Sequence, residues 1–229
     1  MATSGVITFS KNAGETVTFA LKLIGALNAH DQTVNANDMA DGLVMLNLML
    51  KEWQTTGPNL WRAERGSVAL VSDTATYTLS PRPVKVYSVR YRDANGRDLP
   101  MHELTGEEYD EQPLKSNNGI PTTYWLDNGT TATTITTWPV LKTATTQTLQ
   151  YTYQRVVEDI TTSIDNLDVP QEALPVVTYN LAARLLDMDG DSTPTAQRII
   201  ARAEQMRAQY EAFDREQFVR FQPDMEMYR

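Results

Sequence analysis

Three aspartates alternate around a glycine in "LLDMDGDSTPTAQRI", residues 185–199, and carboxylates so spaced are the ligands that a hard cation such as calcium takes. An EF-hand loop needs oxygen ligands at its first, third and fifth positions, a glycine at the sixth for the sharp turn, and a bidentate glutamate at the twelfth. Asp187, Asp189 and Asp191 meet the first requirement, but Ser192 stands where the glycine belongs and Arg198 where the glutamate belongs. A cation thus replaces the strongest ligand. A corner between two helices accounts for more of the residues. Gly190 can take the left-handed conformation that ends one helix, while Thr193 can cap the next, with Pro194 in its first turn. Asp191 suits the positive end of the second helix dipole. The corner is the expectation, with no metal.

Other chemistry is poorly supplied. Glu107, Glu108, Asp110 and Glu111 could offer one carboxylate of a glycosidase pair, but nothing in the sequence places a second opposite them, and acidic clusters at helix starts are usually solvated. His30 and Asp31 lack a serine in a nucleophile elbow, and no glycine-rich phosphate loop is present. There is no cysteine, and the two histidines, His30 and His102, lie far apart, so thiolate chemistry, disulfides and cysteine zinc sites are excluded. Met39, Met45, Met49 and Trp53 read as packing rather than a cofactor box. Arg90, Tyr91 and Arg92 hint at basic-aromatic interleaving, though one such strand reads more simply as exposed surface. The expectation is a protein without enzymatic activity and without cofactors.

A chain of 229 residues, 41% hydrophobic and 21% charged, can bury a sizeable core. Its net charge of -9 opposes a grip on a phosphate backbone, which depends on Lys and Arg displacing counterions. No apolar run reaches the ~18 residues of a membrane span, and "MATSGVITFSKNAGETV" has neither the basic nor the apolar part of a secretory signal. Synthesis in the cytoplasm and no membrane partner are expected.

The elements follow from periodicity. In "TVTFALKLIGALNA", Val17, Ala20, Leu21, Ile24 and Leu27 share a helical face, with Thr16 as the expected N-cap. Asn35 can cap a second helix with a Met39, Leu43, Leu46, Leu50 and Trp53 stripe, stopped by Gly57 and Pro58. From Arg62 the period falls to two. Val84, Val86, Ser88 and Arg90 are expected on one face, Lys85, Tyr87, Val89 and Tyr91 on the other, with Asn95-Gly96 turning a hairpin. Strand patterns return around a turn at Asp127, Asn128 and Gly129 and in "TLQYTYQRVVED"; "LTGEEYDEQPL" reads as one or two helical turns begun by Thr105. The threonine-rich run 130–148 is open to reading as a glycosylated stalk, but Ile135, Trp138, Val140, Leu141 and Leu149 favour strands and a loop. Helical pattern resumes in "VPQEALPVVTYNLAARLLDMDG" and continues with Ile199, Ala203, Met206, Tyr210 and Phe213 on one face.

The close of the chain, "EAFDREQFVRFQPDMEMYR", carries Phe213, Phe218, Phe221, Met225, Met227 and Tyr228 around a helix-stopping Pro223. A polar tail would stay free; this one has anchors suited to a partner's groove.

The stretch "ALKLIGALNAHDQTVNANDMADGLVMLNLMLKEWQTTGPNLW" resembles the opening of podovirus-type head-to-tail adaptors, the tail accessory or packaged-DNA stabilisation proteins of tailed phages, and "LDVPQEALPVVTYNLAARLLDMDG" with the aromatic tail is similar to their second hairpin. The resemblance implies a structural virion protein at the head–tail junction. It implies a homo-oligomeric ring, expected to be a dodecamer, below the portal protein, with tail or nozzle proteins downstream. DNA would pass through a lumen whose negative charge keeps it mobile. It further implies that the tail residues Phe218, Phe221, Met225, Met227 and Tyr228 dock on the portal. The expected fold is α+β: a discontinuous helical bundle of two hairpins (1–62 and 159–215), an inserted β-rich module (63–158), and an extended C-terminal docking tail (216–229). The alternative is a β-rich binding module for carbohydrate or protein on a helical base.

Overall fold

Capping chemistry sets where the first helix begins. The computed structural model describes residues 4–5, 7–28, 30–31, 33–56, 60–190 and 193–213. Helix α1 (Ala13–Ile24) starts after Asn12, whose side chain accepts the Glu15 N–H while Glu15 reaches back to the Asn12 N–H. That reciprocal box satisfies two orphan donors and places the N-cap four residues before Thr16, the expected cap. Thr16 instead lies buried inside the helix, its hydroxyl donating to the Asn12 carbonyl at 2.9 Å. Gly25, at φ 79°, ends the helix in the left-handed conformation.

Helix α2 (Ala36–Thr56) is capped by Asn35, as the sequence predicts, and buries Gly42, Leu46, Met49, Leu50 and Trp53. The expected stop, Gly57 and Pro58, lies outside the described residues. A Cβ on Gly42 would come within 2.4 Å of the Val17 Cγ1, so glycine permits the close approach of α1 and α2. After the strands come α4 (Leu174–Asp189) and α5 (Pro194–Phe213). Helix α4 packs on α1, α2 and α5, and α1 also touches α2 and α5. Leu174, Val177, Leu181, Ala182, Leu185 and Leu186 of α4 are accordingly buried. Each large aliphatic side chain removed from water there contributes on the order of 1.5–3 kcal/mol before entropy is counted. On α5, Ile199, Ala203 and Tyr210 are buried as predicted, but Phe213, at the last turn, is 77% exposed.

Between the helices the chain forms β1 (Ala63–Ala69), β2 (Thr76–Leu79), β3 (Lys85–Arg92), β4 (Asp98–Pro100), β5 (His102–Leu104), the short helix α3 (Gly106–Asp110), β6 (Thr123–Asn128), β7 (Thr133–Trp138) and β8 (Thr148–Gln154). The fold is α+β. The strands make two four-stranded sheets, β1-β8-β3-β4 and β2-β7-β6-β5, antiparallel throughout except for the parallel β5–β6 pair. One core joins them, with Val86, Val89, Tyr91, Leu149, Tyr151 and Tyr153 from the first sheet and Tyr77, Leu79, Tyr124 and Ile135 from the second. The Tyr151 ring lies across Gly66, its β1 partner; a Cβ there would meet the ring at 2.3 Å.

Strand β3 departs from the simple alternation. Val86 is buried, yet so are Val89 and Tyr91, because the register against β8 slips between Val86 and Ser88 and leaves Tyr87 as an extra residue. A bulge of this kind exchanges the two faces, which a strict period of two cannot anticipate. The threonine-rich run supplies β7, where Thr136 pairs hydroxyls with Thr76 at 3.0 Å and the Thr137 hydroxyl donates to the Ala75 carbonyl. Strands β6 and β7 flank a turn of residues 129–132, so the expected turn residues Asp127 and Asn128 close β6 instead.

The chain divides into two compact units. One is helical, drawn from residues up to Leu60 and from Asp159 onward; the other is Trp61–Glu158.

Candidate functional site

At the aspartate-rich stretch the structure shows a corner. Gly190 is left-handed at φ 70°, and its N–H donates to the carbonyls of Leu186 and Asp187. Thr193 accepts the Ala196 N–H at 3.2 Å and so caps α5, which begins at Pro194. Asp191 and Ser192 lie outside the described residues. Among the described residues no group of three or more His, Asp or Glu side chains is placed to hold a metal ion.

The acidic cluster serves local structure. Thr105 accepts the Glu108 N–H while the Glu108 carboxylate accepts the Thr105 N–H at 2.8 Å, closing a capping box around α3. That backbone bond above all, with the threonine hydroxyl, holds the Glu108 carboxyl below its ordinary range. Tyr109 stacks on Trp125 with centroids 5.4 Å apart, and the Lys115 ammonium sits over the Tyr109 ring. His30 and His102 are not brought together: His30 belongs to the helical unit and His102 to the β unit.

The hinted basic-aromatic platform is not assembled. Tyr91 faces the core at 3% exposure, and both arginines turn to one carboxylate. Arg92 grips Asp98 with two bonds of 2.6 and 2.8 Å, and Arg90 approaches the same group at 3.6 Å. Bidentate pairing satisfies the guanidinium internally, which leaves it poorly disposed toward phosphate.

In the helical unit, polar side chains missed by sequence reasoning fix how the returning chain is held. Asn47, in the middle of α2, donates to the Ile160 carbonyl at 2.8 Å and accepts the Ile160 N–H at 3.0 Å. The N–H groups of Ala13 and Gly14, at the open start of α1, donate to the carbonyls of Asp165 and Ser163. Asp165 itself accepts from the hydroxyls and N–H groups of Thr162 and Thr161, bonds that hold its carboxyl far below the usual range. A third node ties α2, α4 and α5. Glu52 bonds the Arg184 guanidinium at 2.6 Å, and Arg207 donates to Thr56, pairs with Glu211 and lies over the Trp53 ring. The Arg184 bond is the chief reason that the Glu52 carboxyl titrates below its ordinary value.

Among the described residues of this unit, several large apolar side chains are exposed. Phe9 and Ile164, 65% and 79% exposed, border a groove of about 550 Å³ with Lys11, Glu15 and Met39. On α2, Val44 and Leu48, 59% and 58% exposed, stand one turn apart. The expected tail anchors Phe218, Phe221, Met225, Met227 and Tyr228 all lie outside the described residues.

Fold and surfaces together define a class: a helical unit whose two halves flank a β unit in the sequence, with the clusters of carboxylates and arginines engaged in caps and ion pairs. The sequence model described as SU10 adaptor protein matches residues 13–227, and the chain belongs to that family. A search of curated proteins returns no match. Among solved structures, the chain is similar to one from the neck of an empty gene transfer agent particle computed with C6 symmetry, at 16% identity and TM-score 0.31, covering 88% of this chain and 93% of that one. It is also similar to one from the virion of a native gene transfer agent particle, at 18% identity and TM-score 0.29, with the same coverage.

Proposed function

We propose that this chain is a structural virion protein without enzymatic activity that joins a phage head to its tail. Copies form a ring, twelve in number if it matches the portal, directly below the portal protein at the head–tail junction. The ring extends the DNA channel and presents its other face to tail or nozzle proteins. One observation carries this reading: the adaptor-family match spans residues 13–227, which takes in both helical halves, the β unit and most of the closing tail. Net charge supports it. At -9, the chain offers DNA a repulsive wall rather than a grip, which suits a conduit through which the genome must move.

Portal attachment falls to the tail. A docking segment needs large anchors to bury in its partner, and Phe218, Phe221, Met225, Met227 and Tyr228 are side chains available for that. Truncation after Glu216, assayed by native mass spectrometry against purified portal rings from the same phage, tests this. The full chain should load the portal as a ring, while the truncated chain stays folded and fails to load. Equal loading by both would assign the joint to the helical body.

A further inference from the structure

Phe9 and Lys11, just ahead of α1, stand between two hollows of the helical unit. On one side lies the groove of about 550 Å³ that Met39 and Ile164 border; on the other, a cleft of about 160 Å³ is walled by Phe19 and by Leu174, Pro175 and Tyr179. Phe9, Phe19 and Ile164 are all exposed. Large apolar side chains grouped in this way mark a site that another segment covers. The polar member of the group is a cation: the Lys11 ammonium lies 4.3 Å from the centre of the Phe19 ring, and among the described residues no carboxylate pairs with it. The patch therefore suits a segment that carries apolar side chains beside an acid.

Such a segment starts at the same end of the unit. Helices α4 and α5 form an antiparallel hairpin, since Asn180, ten residues before Gly190, bonds the carbonyl of Ala203, ten residues after Thr193, at 3.2 Å. Helix α5, which ends at Phe213, therefore stops beside the start of α4, the stretch that walls the smaller cleft. Residues 214–229, "DREQFVRFQPDMEMYR", come next. Phe221 stands eight residues beyond Phe213, a reach of up to about 28 Å for extended chain at ~3.5 Å per residue. Past it, Asp224 and Glu226 flank Met225 and place acids beside an apolar side chain.

We propose that the two hollows are the resting seat of the chain's own residues 214–229. Phe221 enters the cleft beside Leu174, Met225 enters the groove beside Ile164, and Asp224 pairs with Lys11 between them. This seat presupposes the portal docking proposed above, and it holds the segment until a portal arrives. Seated, the segment hides its own anchors and the patch around Phe9, so a free copy presents neither to a wrong partner. Tethering makes the contact intramolecular, which keeps even a weak seat largely closed. A portal takes the segment only by binding it more tightly than the seat does.

Trypsin and a cysteine pair test the seat in the full chain. Cleavage after Arg220 frees residues 221–229, and this fragment should appear at least about tenfold faster from a Phe9→Ser, Ile164→Ser double variant, and from Lys11→Glu, than from the wild type, because cleavage follows the population of the open form. None of the three positions lies in the buried core, so the circular dichroism spectrum should stay that of the wild type. Ile164→Cys with Met225→Cys, in a chain that has no other cysteine, should oxidise to a disulfide at monomer mass, and prior loading on purified portal rings should suppress it. Equal release from the wild type and both variants, no disulfide, or disulfide-linked dimers in place of monomers would overturn the seat. Native mass spectrometry separates the seat from the portal reading. The seat variants should load portal at concentrations about tenfold lower than the wild type, since no seat competes. A wild type and variants that load no portal, with release still faster from the variants, would overturn portal docking and leave the seat standing; equal release with normal loading would do the reverse.

Discussion

The carboxamide of Asn47 pairs with both backbone groups of Ile160, donating to its carbonyl at 2.8 Å and accepting its N–H at 3.0 Å, 113 residues along the chain. It does for one residue what a neighbouring strand would do. Asn47→Leu keeps the side-chain size but strands a buried carbonyl and N–H, so the helical unit should lose on the order of 2–3 kcal/mol in urea unfolding. A variant as stable as the wild type would show that water replaces the pair at no loss.

Gly66 and Tyr151 make a comparable test in the β unit. Gly66→Val would drive a side chain into the Tyr151 ring, whose nearest atom lies 2.3 Å from the position of an added Cβ. Displacing a packed aromatic should cost about 1–3 kcal/mol, visible as a lowered melting temperature. Gly96→Ala, in an open turn at φ 82°, meets no atoms and serves as the comparison, with strain at the backbone alone.

Acid should loosen the helical unit. Asp165 and Glu52 both titrate below their ordinary values, so what they contribute is present above the unfolded values of 3.8 and 4.5 and is lost as pH falls through the lower folded values. The melting temperature should therefore fall with pH below about 4.5, and Asp165→Asn should flatten that fall. A fall just as steep in Asp165→Asn would place the acid sensitivity elsewhere.

Calcium should do nothing. Gly190 and Thr193 are occupied in ending one helix and starting the next, and Arg198 stands where the bidentate ligand would be needed. Millimolar calcium or a chelator should leave the melting temperature unchanged. A rise of several degrees that Asp189→Ala abolishes would restore the metal reading.

Elements whose signal is local were legible in the sequence. The Gly190 corner, the helix start at Thr105, the Asn95-Gly96 turn and the Leu46, Leu50 and Trp53 part of the α2 stripe each depend on residues within a few positions of one another, and each is found in the structure. What the sequence hid depends on distant partners. The start of α1 needed the Asn12–Glu15 reciprocity to be weighed against Thr16, and it is further held by carbonyls from residues 163 and 165. The faces of β3 could not be assigned without the register of β8, which creates the bulge at Tyr87. Asn47 stood inside an apolar stripe, and that misplaced polarity was the available signal for its role. Arg207 carried only the local signal of its pairing with Glu211, since its partners Glu52, Trp53 and Thr56 come from a helix more than 150 residues earlier.

Cryo-electron microscopy of the particle that carries this chain tests the central claim most directly. The account predicts a closed ring of this chain immediately below the portal, with twelve copies around the DNA channel. Density for the chain elsewhere in the particle, or as isolated copies that do not encircle the channel, would contradict it.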